Sequence, residues 1–237
     1  MSHATSVISN SRKSLLLGTS ALVCLALSTP VMADDFVITS SNGTTNGAGT
    51  TNGGTAANIA DNAINGSDTV SLGIALTTTG TNDGIQTSNV GNSITVSEAG
   101  SITTEGTTAD GIANYGDSNK TTVSGRITTA GDWAFGIYND GDNNTTTVSG
   151  SIKTTGDGAL GIPNYGDNNT TTVSGSIKTE GTAALGIYNW GDTNITKVSG
   201  SITTAGDKAF GIVNVGSDNT TTVSGTVSAT GTDASAL

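Results

Sequence analysis

A 25-residue repeat is the feature of this 237-residue sequence that most constrains its fold. Five successive units keep the spacing without gaps, and segment 145–154 is identical to segment 170–179. A degenerate earlier unit through Gly84-Ile85 is offset by two inserted residues. One apolar column consists of Ile102, Ile127, Ile152, Ile177 and Ile202. A fixed period of this length indicates stacked structural units, each of which buries its apolar face only against its neighbours.

The residues within one unit alternate as they do in a half-buried strand. Phe135, Ile137 and Asn139 fall on one face, whereas Tyr138 and Asp140 fall on the other. Gly and Asp supply turns between these segments. Helix formers are scarce in this Thr- and Gly-rich chain, because Thr is β-branched and Gly costs about 1 kcal/mol in a helix. The pattern predicts an all-β fold, a parallel β-helix (solenoid) of roughly 25-residue coils with a core of Val, Ile, Leu and Phe.

The N-terminal segment has the pattern of a secretory signal peptide. Arg12 and Lys13 precede a short apolar run from Leu15 to Leu27, and the small or modest side chains of Val31-Met32-Ala33 then form the cleavage site. An anchoring helix is the alternative, but the run is too short for about 30 Å of hydrocarbon. We expect cleavage after Ala33 and export through the inner membrane to the cell surface, the outer membrane or the medium. The predicted organisation is a signal peptide at 1–33, a low-complexity lead-in or N-terminal cap at 34–72, and a β-helix array at 73–237 with regular units at 100–231.

Cleavage would remove the two residues on which most classes of catalytic site depend. His3 and Cys24 are the only residues of their types, and both lie within the signal segment. The remainder would carry 6 Lys and Arg against 19 Asp and Glu, a net charge of −13. Nucleophile pairs that need His, and metal sites that need His or Cys, are then excluded. We expect no catalytic residues, no cofactor, no metal site and, from the acidic charge, no nucleic-acid partner.

The signal segment and the repeated blocks resemble a known family. Blocks such as 146–152 (Thr-Thr-Val-Ser-Gly-Ser-Ile) and 136–139 (Gly-Ile-Tyr-Asn) are similar to passenger regions of bacterial autotransporters (type V secretion) over residues 34–237. The resemblance implies a right-handed parallel β-helix that acts as a structural stalk or adhesin. It also implies delivery by a C-terminal β-barrel. Ala236-Leu237 falls in mid-strand, so we expect a truncated passenger, with membrane association only through that missing barrel.

Two sets of residues are candidate functional or structural columns. Outward-facing aromatic residues are predicted to form a stripe whose cross-strand stacking stabilises the sheet. The alternative interpretation is that the stripe contacts surface glycans or the surface of a host or neighbouring cell. The stripe consists of Tyr115, Tyr138, Tyr165, Tyr188 and Trp190. A column of inward-facing amides is predicted to form a structural ladder. It consists of Asn114, Asn139, Asn164, Asn189 and Asn214.

Several other functions remain as alternatives. The recurring aspartates are expected to cap turns, with weak Ca²⁺ binding as the alternative. They are Asp117, Asp142, Asp167 and Asp192 in one turn and Asp132, Asp157 and Asp207 in another. A regular array of hydroxyls could instead bind ice. The array consists of Thr121, Thr146, Thr171, Thr196 and Thr221. A fragment of a polysaccharide-active enzyme would have to use Glu98, Glu105 or Glu180, which lie outside the repeat columns. A trimeric adhesin head and self-association are further possibilities.

Overall fold

The structure is a computed structural model, and one part of the chain is described in it. The predicted signal peptide and its cleavage site at Ala33 lie outside the described residues. All described residues belong to one compact unit, Val31–Leu237. They are residues 37–38, 44–46, 58–59, 69–73, 75–87 and 90–237.

The described residues form three parallel β-sheets, which we name sheets A, B and C. Sheet A contains β1 (Val37–Ile38), β3 (Asn58–Ile59), β6 (Ile85–Thr87), β9 (Ile112–Tyr115), β12 (Ile137–Asp140), β15 (Ile162–Tyr165), β18 (Leu185–Trp190) and β21 (Phe210–Val215). Sheet B contains β2 (Thr44–Asn46), β4 (Thr69–Leu72), β7 (Ser93–Val96), β10 (Lys120–Val123), β13 (Thr145–Val148), β16 (Thr170–Val173), β19 (Ile195–Val198) and β22 (Thr220–Val223). Sheet C contains β5 (Ala75–Thr78), β8 (Ser101–Thr104), β11 (Arg126–Thr129), β14 (Ser151–Thr154), β17 (Ser176–Glu180), β20 (Ser201–Ala205) and β23 (Thr226–Thr230).

Each coil contributes one strand to each sheet, and successive coils pair in the register of the sequence repeat. Ile127 pairs with Ile152 in sheet C, and Asn139 pairs with Asn164 in sheet A. Strands β6 to β23 make six complete coils. The predicted all-β parallel solenoid with turns of about 25 residues is therefore confirmed, and the described part of the chain contains no helix. Strands β1 to β4, which fall within 34–72, pair in the same sheets as the array.

The two inserted residues of the degenerate unit lie in one turn. Val96 pairs with Val123 at an offset of 27 residues, but Ser101 pairs with Arg126 at the regular offset of 25. The extra length is therefore confined to residues 97–100, between β7 and β8. Without Glu98 and Ala99, this turn would read Val-Ser-Gly-Ser, as the corresponding turns of later coils do.

The core is a stack of aliphatic side chains from all three sheets. The regular coils before the last one each bury an Ile from sheet A, a Val from sheet B and an Ile from sheet C, such as Ile137, Val148 and Ile152. In the last coil Ile212 is buried, whereas Val223 is exposed. The expectation that Phe belongs to this core is wrong. Phe135 and Phe210 are only half-buried, because their column lies at the entry to sheet A, where Phe135 stacks on the outward-facing Tyr138 at 5.7 Å between ring centroids.

A glycine is required in the turn between sheets A and B. Gly166 has a φ of 141°, and a Cβ at this position would lie 2.4 Å from the carbonyl oxygen of Gly141 in the preceding coil. The coils therefore approach so closely at this corner that neither the backbone conformation nor the space accommodates a side chain.

Candidate functional site

The predicted Asn column forms a continuous hydrogen-bonded ladder. Asn114 Nδ2 donates to Asn139 Oδ1 at 2.7 Å, and the same bond recurs from each Asn to the next as far as Asn214. Each Nδ2 also donates to a Thr hydroxyl of sheet B, as Asn139 does to Thr146 Oγ1 at 3.1 Å. The ladder thus supplies the buried amides with partners in the low-dielectric interior, where unpaired polar groups are costly, except that Asn114 Oδ1 at its start has none among the described residues.

The alternative that the Thr array binds ice is contradicted. Thr121, Thr146, Thr171 and Thr196 are almost completely buried, and Thr221 is half-buried. Their hydroxyls accept hydrogen bonds from the Asn ladder, because they share the inward-facing parity of the Val residue two positions later. They are therefore part of the interior and not an exposed flat face.

A second Asn column fastens the turn between sheets A and B. The backbone N–H of Asn144 donates to Asn169 Oδ1 at 2.7 Å, and Asn144 Nδ2 donates to the carbonyl oxygen of Gly141 at 3.0 Å. The sequence shows this column as a repeat but not its bonding. Its amides bond to the turn backbone, apart from Asn169 Nδ2, which has no partner among the described residues, whereas those of the Asn114 column bond to one another.

The recurring aspartates cap turns, as predicted. Asp117 Oδ1 accepts the backbone N–H of Asp142 at 2.8 Å, and Asp132 Oδ1 accepts that of Asp157 at 2.9 Å. Each carboxylate therefore joins its own turn to the turn of the next coil. Among the described residues, no cluster of three or more His, Cys, Asp or Glu side chains is arranged to hold a metal ion.

The five predicted aromatic residues lie together on the outer surface of sheet A. Tyr115 contacts Tyr138 at 5.5 Å between ring centroids, and Tyr138 contacts Tyr165 at 5.6 Å. Tyr165 in turn lies 5.8 Å from both Tyr188 and Trp190. Tyr115 and Trp190 are 37% and 56% exposed, and the other three rings are half-buried. We call these five residues the aromatic stripe; it crosses four coils without a break.

A groove at one end of the stripe contains residues that the sequence analysis did not select. It has a volume of about 300 Å³. We call it the aspartate groove, and its principal lining residues are Asp110, Tyr115, Trp133, Phe135, Tyr138 and Tyr165. Asp110 occupies the column of Phe135 and Leu160, so it replaces an apolar residue of the later coils. This replacement, shared with Asp83 in the preceding coil, was the available sequence signal.

Asp110 is held within the solenoid wall by its neighbours in the stack. It is only 6% exposed, its Oδ1 accepts the backbone N–H of Phe135 at 2.7 Å, and its own N–H donates to Asp83 Oδ1 at 2.7 Å. Its Oδ2 has no hydrogen-bond partner among the described residues. Asp83 and Asp110 therefore form a stacked carboxyl pair beside the aromatic rings.

Burial dominates the electrostatics of this pair. It raises the pKa of Asp110 to about 8; the Phe135 N–H opposes this increase, and the charge of Asp83 adds to it. Burial also raises the pKa of Asp83 to about 6, against the hydrogen bond from the Asp110 N–H. Tyr115 lines the same groove as Asp110, and its pKa is raised by burial and then by the charges of Asp83 and Asp110. The ion pairs of the described residues join Glu180 to two lysines, so neither carboxyl has a cationic partner there.

The three glutamates of the enzyme alternative lie in different surroundings. Glu98 belongs to the expanded turn between β7 and β8, and Glu105 is exposed after β8. Glu180 forms ion pairs with Lys178 and with Lys153, the latter at 3.1 Å. Hydrogen bonds from these two lysines, that of Lys178 first, lower the pKa of Glu180. Glu180 is therefore held as an ionised partner in a surface ion-pair cluster.

Comparison with known proteins yields no relative: no family model, curated protein or solved structure matches the chain. The described residues themselves show a parallel β-solenoid of about six turns with Asn ladders. Within the described residues, no helix has the length and apolar character needed to cross a membrane.

Proposed function

We propose that this chain is a non-enzymatic, exported solenoid of the autotransporter-passenger type, a stalk whose aromatic stripe binds surface glycans. The observation that carries the proposal is the stripe itself, an uninterrupted set of ring contacts across four coils. Partly exposed Tyr and Trp rings offer flat apolar faces together with polar groups, which suits amphipathic partners such as sugar rings. Repetition along the array would give weak contacts a combined avidity.

The chain itself supplies conservative replacements for a test of the stripe. Tyr138 shares its column with Ala113, Tyr188 with Val213, and Trp190 with Val215. The corresponding substitutions are Tyr138→Ala, Tyr188→Val and Trp190→Val. A triple variant therefore uses only residues that the solenoid already carries at these positions, and we expect its circular dichroism spectrum to match that of the original chain.

Binding to immobilised glycans is the test of the proposed function. The original chain should bind a subset of an array of neutral glycans, and the triple variant should bind at least about tenfold more weakly, because it removes three of the five rings. Equal binding by both proteins, or no binding by the original chain at any glycan, would refute the role of the stripe.

Export has a separate test. The chain is expressed in a Gram-negative bacterium, and the species outside the cytoplasm is examined by N-terminal sequencing. We expect a sequence that begins at Asp34, directly after Ala33. Retention of the uncleaved chain in the cytoplasm would contradict the export proposal. It would not decide whether the aromatic stripe binds glycans, which the preceding experiment tests separately.

A further inference from the structure

The aspartate groove combines aromatic rings with carboxyl groups that have no cationic partner. Tyr138 stacks nearly parallel to Phe135, with 23° between the ring planes, and approaches Tyr115 and Tyr165 at 5.5 and 5.6 Å. Trp133, also in the lining, is 61% exposed. Aromatic faces attract cations through the ring quadrupole, and groups of such rings bind quaternary ammonium ligands.

The charges around the groove favour a cation over an anion or a neutral molecule. Asp110 lies in its wall, and Asp83 of the preceding coil accepts the Asp110 backbone N–H. Asp140 is on β12, the strand of Tyr138, and accepts a hydrogen bond from the Tyr138 hydroxyl at 3.4 Å. A nearby carboxylate, Asp132, already accepts the backbone N–H of Asp157. No Lys or Arg is among the lining residues.

The groove suits a small group. Its volume of about 300 Å³ lies at the lower limit for ligand pockets, which span about 300–1,000 Å³. A carboxyl group that is 6% exposed, with one oxygen lacking a partner among the described residues, would gain a counter-charge from a ligand seated against the rings. A sugar oligomer would instead extend along the stripe.

We infer that the aspartate groove binds an organic cation with a quaternary ammonium group, held by the Trp133, Phe135 and Tyr138 rings and by the Asp110 carboxylate. The inference rests on the proposal that this face of sheet A is a binding surface, and it assigns a ligand class to one end of that surface. The trimethylammonium group of choline is the simplest member of the class.

Trp133 fluorescence gives a direct assay on the full chain. Trp133 and Trp190 are its only tryptophans, and Trp190→Tyr copies Tyr165 of the preceding coil, which leaves Trp133 as the single reporter. Titration with choline chloride should give a saturable change in emission. The neutral isostere 3,3-dimethyl-1-butanol has the same shape without the charge, and we expect it to bind at least about tenfold more weakly. Equal responses to the two molecules, or no saturable response to choline, would overturn the inference.

Substitutions locate the site. Asp110→Asn keeps the side-chain shape and the acceptor for the Phe135 N–H but removes the charge that the carboxyl carries above its pKa of about 8, so we expect choline affinity at pH 9 to fall about tenfold or more. Gly158→Ala is a matched probe of the ring position, because a Cβ there would lie 2.9 Å from Cδ2 of Trp133, while Ala183 occupies the same column with a φ of 55°. The Gly158→Ala variant should bind choline more weakly than the original chain, with no decrease in melting temperature. Unchanged affinity in both variants would overturn the assignment to this groove.

The pH dependence of binding supplies an independent readout. A cation should bind more tightly as pH rises through the pKa values of Asp83 and Asp110, about 6 and about 8, because ionised carboxylates attract it. The Tyr115, Tyr138 and Tyr165 phenols stay protonated in this range, since burial raises the pKa of each. Affinity that is constant from pH 5 to pH 9 would contradict a role for the carboxyl pair.

Separate measurements distinguish this inference from the glycan proposal and identify the source of the cation. Trp190→Val alters the far end of the stripe and should leave choline binding unchanged. Methyl β-glucoside that saturates the groove in place of choline would overturn the inference while supporting the glycan role. Cosedimentation with phosphatidylcholine vesicles, lost in Asp110→Asn, would identify a lipid headgroup as the source; binding of free choline alone would identify a soluble cation.

Discussion

Asn164 has hydrogen-bond partners on both sides in the buried ladder. Its replacement therefore measures how much the ladder contributes to the free energy of unfolding. Its Nδ2 donates to Asn189 Oδ1 and to Thr171, and its Oδ1 accepts from Asn139. Asn164→Ala would leave the Asn139 and Asn189 amides without these partners. Each buried orphan costs about 1–3 kcal/mol, so we expect the free energy of unfolding to fall by about 2–4 kcal/mol in urea denaturation.

The exposed end of the same ladder provides the matched control. Asn214 is exposed, and water can replace its bonds to Asn189 and Thr221. We expect Asn214→Ala to cost about 1 kcal/mol or less. Equal losses for Asn164→Ala and Asn214→Ala would show that the ladder owes its effect to something other than the satisfaction of buried amides.

The Asp110 carboxyl predicts how stability depends on pH. Its pKa is raised to about 8 in the folded chain from an ordinary value of 3.8, so the folded state binds more protons between these pH values. The contribution of Asp110 is therefore fully present below about pH 4 and is lost as pH rises through about 8. Thermal unfolding measured from pH 4 to pH 9 should show this decline, to which Asp83 contributes up to about pH 6.

Asp110→Leu isolates that effect. The variant copies Leu160 of the same column, and we expect it to flatten the decline above pH 6 and to add about 1 kcal/mol of stability at pH 8. A difference between variant and original chain that does not change with pH would contradict the raised pKa of Asp110.

At the scale of residues, recurrence decided what the sequence could predict. The Asn ladder and the aromatic stripe were accessible because each repeats in a column whose parity is fixed by neighbouring Ile residues. The ice-binding alternative placed the Thr146 column on the outside, because the run Thr-Thr-Thr shows no alternation between polar and apolar residues. The signal that Thr146 faces inward was its parity with Val148, which is buried. Asp110 was missed because no Asp recurs at its position in the later coils, and its burial depends on contacts with Asp83 and Phe135.

The turn between β7 and β8 tests how far the strands depend on turn length. Deletion of Glu98 and Ala99 would restore the Val-Ser-Gly-Ser turn found at Val148–Ser151. We expect a folded protein with an unchanged or slightly higher melting temperature, because the flanking pairs Val96–Val123 and Ser101–Arg126 keep their register. Differential scanning calorimetry gives the comparison.

A deletion within a strand should behave differently. Removal of Thr122 alone from β10 would exchange the inward and outward faces on one side of the break, since side chains alternate with a period of two. We expect loss of the cooperative transition in this variant. If both deletions gave the same melting temperature, strand parity would not be what fixes the register.

The strands and turns themselves were predictable, but the site of the insertion was not. The offset of two residues is visible in the spacing of Gly84 and Gly111. Its location needs the pairing on both sides of the turn, Val96 with Val123 and Ser101 with Arg126, and pairing is a property of stacked coils rather than of one segment.

The whole solenoid should tolerate the loss of one complete coil. Deletion of residues 146–170 joins Thr145 to Thr171 and recreates the sequence Asn-Thr-Thr-Thr-Val at the junction. Because stability in a stacked array is approximately a sum over units and their interfaces, we expect a folded but less stable β-protein. Far-UV circular dichroism and a urea titration measure both properties.

The control deletion differs by one residue at the same junction. Removal of 146–171 would shift Asn144 by one position against Val173, so the second Asn column and the Val column could not both be kept. We expect this variant to unfold at much lower urea than the 25-residue deletion. Similar midpoints for the two deletions would contradict a stack held in a fixed 25-residue register.

The parallel pairing of coils also has a kinetic consequence. All-β proteins usually fold slowly, because their strands pair across long stretches of chain. Here each regular pairing closes a loop of only 25 residues, about a tenth of the chain length, which is the relative contact order typical of helical bundles. One formed coil then offers a template for its neighbour, so folding should begin at any well-packed pair of coils and propagate in both directions.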